Sequence, residues 1–233
     1  MPWVDRLARF GVALFVSVAV ASGAHSGAWP RDEGTIFFAV GGNVALSDAA
    51  RRPVHYDPTV YLEYGLTQSL TVGLDGYLAD AGDAGSGFAF VRYPLSFGSL
   101  GGPDSRNRLA VSLGLGATVL PNAEIDTGLR LSFHFGRGLE TGWLSLDADV
   151  VRYVEAGQNQ TKLSFTWGRD FTERWTAILE GQIGTGLTGD IYAKVTPSFA
   201  WHATERLTVR VGATKALTGD RGAGLMVQTW WQF

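Results

Sequence analysis

From Thr35 to the end of the chain, apolar residues recur at every second position, with polar or small residues between them. That is the two-residue period of a strand, not the 3.6-residue period of a helix. Ile36, Phe38, Val40, Val44 and Leu46 share one face of the first segment; Val60, Leu62, Tyr64 and Leu66 share one face of the second. Further on, Leu129, Leu131, Phe133 and Phe135 alternate with Arg130, Ser132 and His134, and Leu144, Leu146, Ala148 and Val150 with Ser145, Asp147 and Asp149. One stretch, FAFVRYPL, is apolar on both faces apart from Arg92. The segments run to about 8 to 12 residues, near the roughly 9–11 that a tilted strand needs to cross a bilayer. Strands of soluble sandwiches are shorter, about 5–6 residues.

One face of these segments is almost free of charge, while the other carries charges on most segments. Lipid imposes such a split, because only helices or closed barrels satisfy their own backbone groups there. The pattern predicts an all-β fold: a transmembrane, antiparallel, up-and-down β-barrel of about twelve strands, with ten as the lower bound, in a single domain. The lumen-lining face is assigned Glu63, Asp75, Arg92, Arg108, Arg130, His134, Asp147, Asp149, Lys162, Glu180, Lys194 and Arg210. A hairpin around Leu139-Glu140 would set Arg130 opposite Asp149 and Ser132 opposite Asp147; one around Phe171 would set Lys162 opposite Glu180.

The connections repeat a motif: LTQSLT at Leu66–Thr71, FTERWT at Phe171–Thr176 and ATERLT at Ala203–Thr208. These short polar turns fall on one edge of the barrel, the periplasmic one if both termini lie there. The opposite connections, Ser47–Asp57, Ala79–Gly87 and Glu155–Gln160, are too modest to fill a lumen as a plug. Trp143, Trp167, Trp175, Trp201, Trp230 and Trp231 gather near segment ends, where an interfacial girdle places amphipathic indoles.

The first residues break the pattern. Arg6 and Arg9 precede an apolar run from Phe10 to Ala24, and small residues follow at Ser22-Gly23-Ala24 and Ser26-Gly27-Ala28. This is the layout of a secretory signal peptide, residues 1–28, cleaved after Ala24 or Ala28, with the barrel domain occupying 29–233. Composition adds little. Charged residues make up 18%, below the roughly 25% of soluble domains. There is no cysteine, hence no disulfide framework, and the net charge of −3 offers no footprint for nucleic acid.

The final residues, GLMVQTWWQF, resemble the C-terminal signature of outer-membrane barrels, through Leu225, Val227, Trp231 and Phe233. The resemblance implies that the barrel-assembly machinery reads this strand. GAWPRDEGTIFFAV, YLEYGLTQSLTVGLD and the repeated turn look like a group of small Gram-negative outer-membrane barrels. They are also similar to a broad outer-membrane family named for a phenol-degradation pathway (MetA-type). What this implies is a location in the cell outer membrane and contact with its lipid, not phenol chemistry.

Candidate chemistry centres on the few histidines. Ser132 and His134 share one face, with Asp147 on the neighbouring segment. Set along a lumen, the three read as a hydrogen-bond network, and no catalytic residue, metal or cofactor is assigned. No HExxH, EF-hand, Walker or dinucleotide motif occurs. The expectation is therefore a non-enzymatic channel or transport-related barrel for a small polar, small-molecule solute. The alternatives are a non-conducting structural or interaction barrel and, last, a lumenal or lipid hydrolase.

Overall fold

The computed structural model describes residues 27–46, 56–79, 84–97, 100–101, 105–119, 124–186, 189–218 and 222–233; the rest of the leader, residues 1–26, lies outside them. Twelve strands follow one another along the chain: β1 (Ile36–Ala45), β2 (Tyr56–Thr67), β3 (Leu70–Ala79), β4 (Ala84–Leu95), β5 (Asn107–Val119), β6 (Ile125–Leu139), β7 (Gly142–Tyr153), β8 (Asn159–Thr172), β9 (Trp175–Thr185), β10 (Ile191–His202), β11 (Leu207–Thr218) and β12 (Ala223–Gln232). Each pairs antiparallel with its sequence neighbours, and β1 pairs with β12, from Phe37↔Gln232 to Ala45↔Gly224, so the sheet closes. Closure leaves no unpaired edge, which is what lets a sheet cross lipid.

Alternation decides what each face meets. Along β6, residues alternate between buried and exposed: Asp126, Gly128, Ser132, His134 and Gly136 turn inward, and Leu129, Leu131 and Phe133 turn outward. Leu74, Val91, Leu113, Leu115, Ile183, Val211 and Val227 are likewise exposed on the outer wall. A concavity of about 1020 Å³ on this wall, lined by Leu62, Leu74, Val91, Leu113, Leu131 and Val150, belongs to the same apolar surface.

Two tryptophans do not join a girdle. Trp143 and Trp230 are buried inside the barrel, where they cluster with Phe37, Ala39, Ile178 and Ala200. The reason is parity: on β7 and β12 their neighbours two residues away also face inward. Trp175 and Trp201 are the outward pair, stacked with ring centroids 6.4 Å apart, and Trp231 stacks on Phe38 at 5.5 Å.

The hairpin registers also differ from the sequence-based pairing. Leu139 pairs with Gly142, so Glu140-Thr141 form the turn; Ser132 lies opposite Asp149, His134 opposite Asp147, and Arg130 opposite Val151. Gly142, at φ 119°, supplies the left-handed conformation that this tight turn requires. In the β8–β9 hairpin Thr172 pairs with Trp175, so the turn is Glu173-Arg174 and not Phe171; a bulge follows between Asp170 and Thr172, and Lys162 faces Gly184 while Glu180 faces Thr166.

Candidate functional site

The lumen is divided along its axis. At the end where β1 starts and β12 finishes, the interior holds the cluster around Trp143 and Trp230. A segment absent from the strand pattern, Gly27–Gly34, is laid into this end. Ala28 is fully buried, and Trp29 packs on the tryptophan cluster. Its indole lies so close to Gly136 that a Cβ there would overlap the ring. The Arg31 backbone N–H donates to Thr71 Oγ1 at 3.1 Å, and the Arg31 Nε donates to Glu63 Oε2 at 2.5 Å. Gly34 N–H to Gly65 O and Gly65 N–H to Thr35 O then fasten the segment to β2.

Glu63 is the hub. Its side chain is 1% exposed and lies between the guanidinium groups of Arg31 and Arg92, while Tyr61 donates its hydroxyl to the same carboxylate. Two cations and a phenol replace the water that burial removed, a condition for keeping a carboxylate charged inside a protein. Arg92 also donates from Nη2 to Tyr61 and from Nε to Ser112 Oγ, at 2.9 and 3.3 Å.

The network continues across the sheet. Ser112 Oγ is 2.8 Å from His134 Nε2, and His134 Nδ1 is 2.7 Å from Asp147 Oδ1. Arg130 forks onto both oxygens of Asp75, and Lys162 reaches Asp149 at 3.1 Å. On the opposite wall Arg210 bonds Glu180 at 3.1 Å and Ser198 at 2.9 Å, while Gln182 donates to Glu180. Lys194 lies 5.8 Å from the Tyr192 ring. Arg108 donates to the carbonyl oxygens of Ser105 and Asn107. The C-terminal residues Leu225, Val227 and Phe233 are exposed on the outer wall, and Trp231 is partly covered by Phe38.

The structure thus brings Glu63 to Arg92, Asp75 to Arg130, Asp147 to His134, Asp149 to Lys162, and Glu180 to Arg210. Tyr61, Arg31, Trp29 and Ser112 complete it and were not singled out from the sequence. Arg31 and Trp29 precede the first alternating segment, so periodicity assigned them no face. Ser112 was on the polar face, but nothing in its own strand marked its partner. Among the described residues, no group of three or more His, Cys, Asp or Glu side chains could hold a metal ion.

No family model matches the chain, and no curated protein matches it. Solved structures do. The KdgM porin in complex with disordered oligogalacturonate aligns with a TM-score of 0.54 at 11% identity, over 85% of this chain and 99% of that one. The NanC porin aligns with a TM-score of 0.58 at 8% identity, over 83% and 98%. The likeness is one of fold. At such identity it is the closed barrel that the porins share with this chain, not any lumenal side chain.

Proposed function

We propose that the protein is a channel of the Gram-negative outer membrane for small polar solutes. The observation that carries this reading is the contrast between the two walls. The outside is apolar along its strands, while the inside holds charges of both signs, Glu63, Asp75, Asp149 and Glu180 against Arg92, Arg130, Lys162 and Arg210, with Asp147 bonded to His134. Twelve strands lie between the roughly eight that leave room only for side chains and the 16 to 18 of wide pores. Mixed charge favours modest ion selectivity, since a strongly selective pore concentrates one sign. The porin likeness supports the same reading, and the KdgM complex shows a related fold with an acidic oligosaccharide. The MetA-type resemblance names no solute.

Three further parts of the reading belong with it. The leader takes the chain through the inner membrane, the exposed C-terminal strand face is what the barrel-assembly machinery binds, and outer-membrane lipid covers the apolar wall. A second reading, a non-conducting structural barrel, is favoured by the Gly27–Arg31 stretch, with Ala28 fully buried, and the tryptophan cluster beside it.

Single-channel recording of the refolded barrel in a planar bilayer separates the two. Discrete steps that scale with salt are expected for the channel. A folded, heat-modifiable barrel that stays silent, even after the inner segment is unseated by Trp29→Ser with Arg31→Ser, would leave the structural reading standing alone.

A further inference from the structure

Ser112, His134 and Asp147 come from three successive strands, β5, β6 and β7, and meet on the lumenal side of the sheet. One proton in this chain of contacts is fixed by its partner. A carboxylate only accepts, so the 2.7 Å contact with Asp147 places a hydrogen on His134 Nδ1. With the ring neutral, Nε2 is an acceptor, 2.8 Å from Ser112 Oγ. Arg92 Nε, which can only donate, takes a lone pair of the same oxygen at 3.3 Å, leaving the hydroxyl hydrogen to point at His134. This is the base-ready tautomer that an activated serine requires, with the third group orienting the base. Ser132, the serine nearer in sequence, faces Asp149 instead.

We propose that Ser112 is a nucleophile that accepts the acyl group of short-chain carboxylic esters small enough to enter the lumen, with His134 as general base and Asp147 as the positioning residue. The Ser112 Oγ–acyl bond forms as His134 Nε2 takes the hydroxyl proton. The ester C–O bond then breaks, and the alcohol leaves with that proton. Water, deprotonated by His134, attacks the acyl-serine, releases the carboxylic acid and restores the Ser112 hydroxyl. The Arg92 guanidinium beside Oγ offsets the negative charge that develops at the reacting oxygens. Ser112 is 3% exposed, and where cleavage after Ala24 leaves Gly27 in the chain, that residue lies against the His134 ring and Arg92, so the inner segment covers this site. Access therefore depends on the Gly27–Arg31 stretch moving away.

The test treats the refolded full-length chain with a fluorophosphonate probe and maps the modified residue by peptide mass spectrometry. It is run on the wild-type chain and on the Trp29→Ser, Arg31→Ser variant, each first verified as folded by heat-modifiable migration. Label on Ser112 is expected, arriving faster in the substituted chain. In that background His134→Ala should slow it about a hundredfold, the loss of a general base. Ser132→Ala should leave it unchanged, and turnover of 4-nitrophenyl acetate should vanish with Ser112→Ala. Asp147→Asn should slow labelling and change its pH profile. No label on Ser112 in either folded chain overturns the proposal, as does labelling that ignores His134 or falls on Ser132. Conductance is read separately, so a silent but labelled barrel counts against the channel and not against the nucleophile.

Discussion

Glu63 shows what a single lumenal side chain contributes. With 1% exposure and two guanidinium partners, it is the one counter-charge bonded to Arg92 among the described residues. Removing one member of a buried pair leaves the other charged and desolvated, which costs about 3–5 kcal/mol. Glu63→Ala should therefore lower the urea midpoint of heat-modifiable folding by that order. Arg31→Ala should cost less, since Glu63 keeps Arg92 and Tyr61. An Arg31 loss equal to that of Glu63 would mean that the seat of the inner segment, not Arg92, sets the stability. The charges themselves were readable from the sequence, because a polar face marks its members one by one. Their partners were not. Asp75 and Arg130 lie on β3 and β6, which are not neighbours in the sheet, and only the curvature of the barrel brings them together.

Between neighbouring strands the difficulty is of another kind. Shifting a hairpin by two residues leaves every side chain on its original face, because the strand period is two. Alternation therefore fixed which way Ser132, His134 and Asp147 point, and it was indifferent to whether Ser132 or His134 stands opposite Asp147. The turn makes that choice: Glu140-Thr141 with Gly142 at φ 119° sets Leu139 against Gly142 and so His134 against Asp147. A side chain at Gly142 is strained in that conformation and would also meet the Gly168 carbonyl oxygen. Gly142→Ala should cost about 1–3 kcal/mol of folding stability. Gly181→Ala, where an added Cβ meets no atom within 4 Å, should stay within about 0.5 kcal/mol. Equal midpoints for the two variants in a urea titration would show that the turn conformation does not hold this register.

For the molecule as a whole, strand number, closure and the sidedness of the wall follow from a pattern that most segments from Thr35 onward display. What the pattern hides is the state of the lumen. The segment that fills one end, Gly27–Gly34, has no period at all, and its hold is a matter of a few contacts: Trp29 on the tryptophan cluster, Arg31 on Glu63, and a backbone bond to Thr71. If the barrel conducts, that hold controls the narrowest passage. Trp29→Ser with Arg31→Ser should then raise single-channel conductance several-fold without altering the fold of the wall. Selectivity should answer to charges farther along the lumen. Lys162, 42% exposed and paired with Asp149 at 3.1 Å, offers its charge to passing ions. Lys162→Gln leaves Asp149 uncompensated, so the reversal potential in a salt gradient should move toward cation preference, and Asp149→Asn should move it the opposite way. Shifts of the same sign for both would place the two residues off the ion path. Opposite shifts of similar size would show that ions pass this pair and that the mixed charge of the lumen keeps the pore close to neutral.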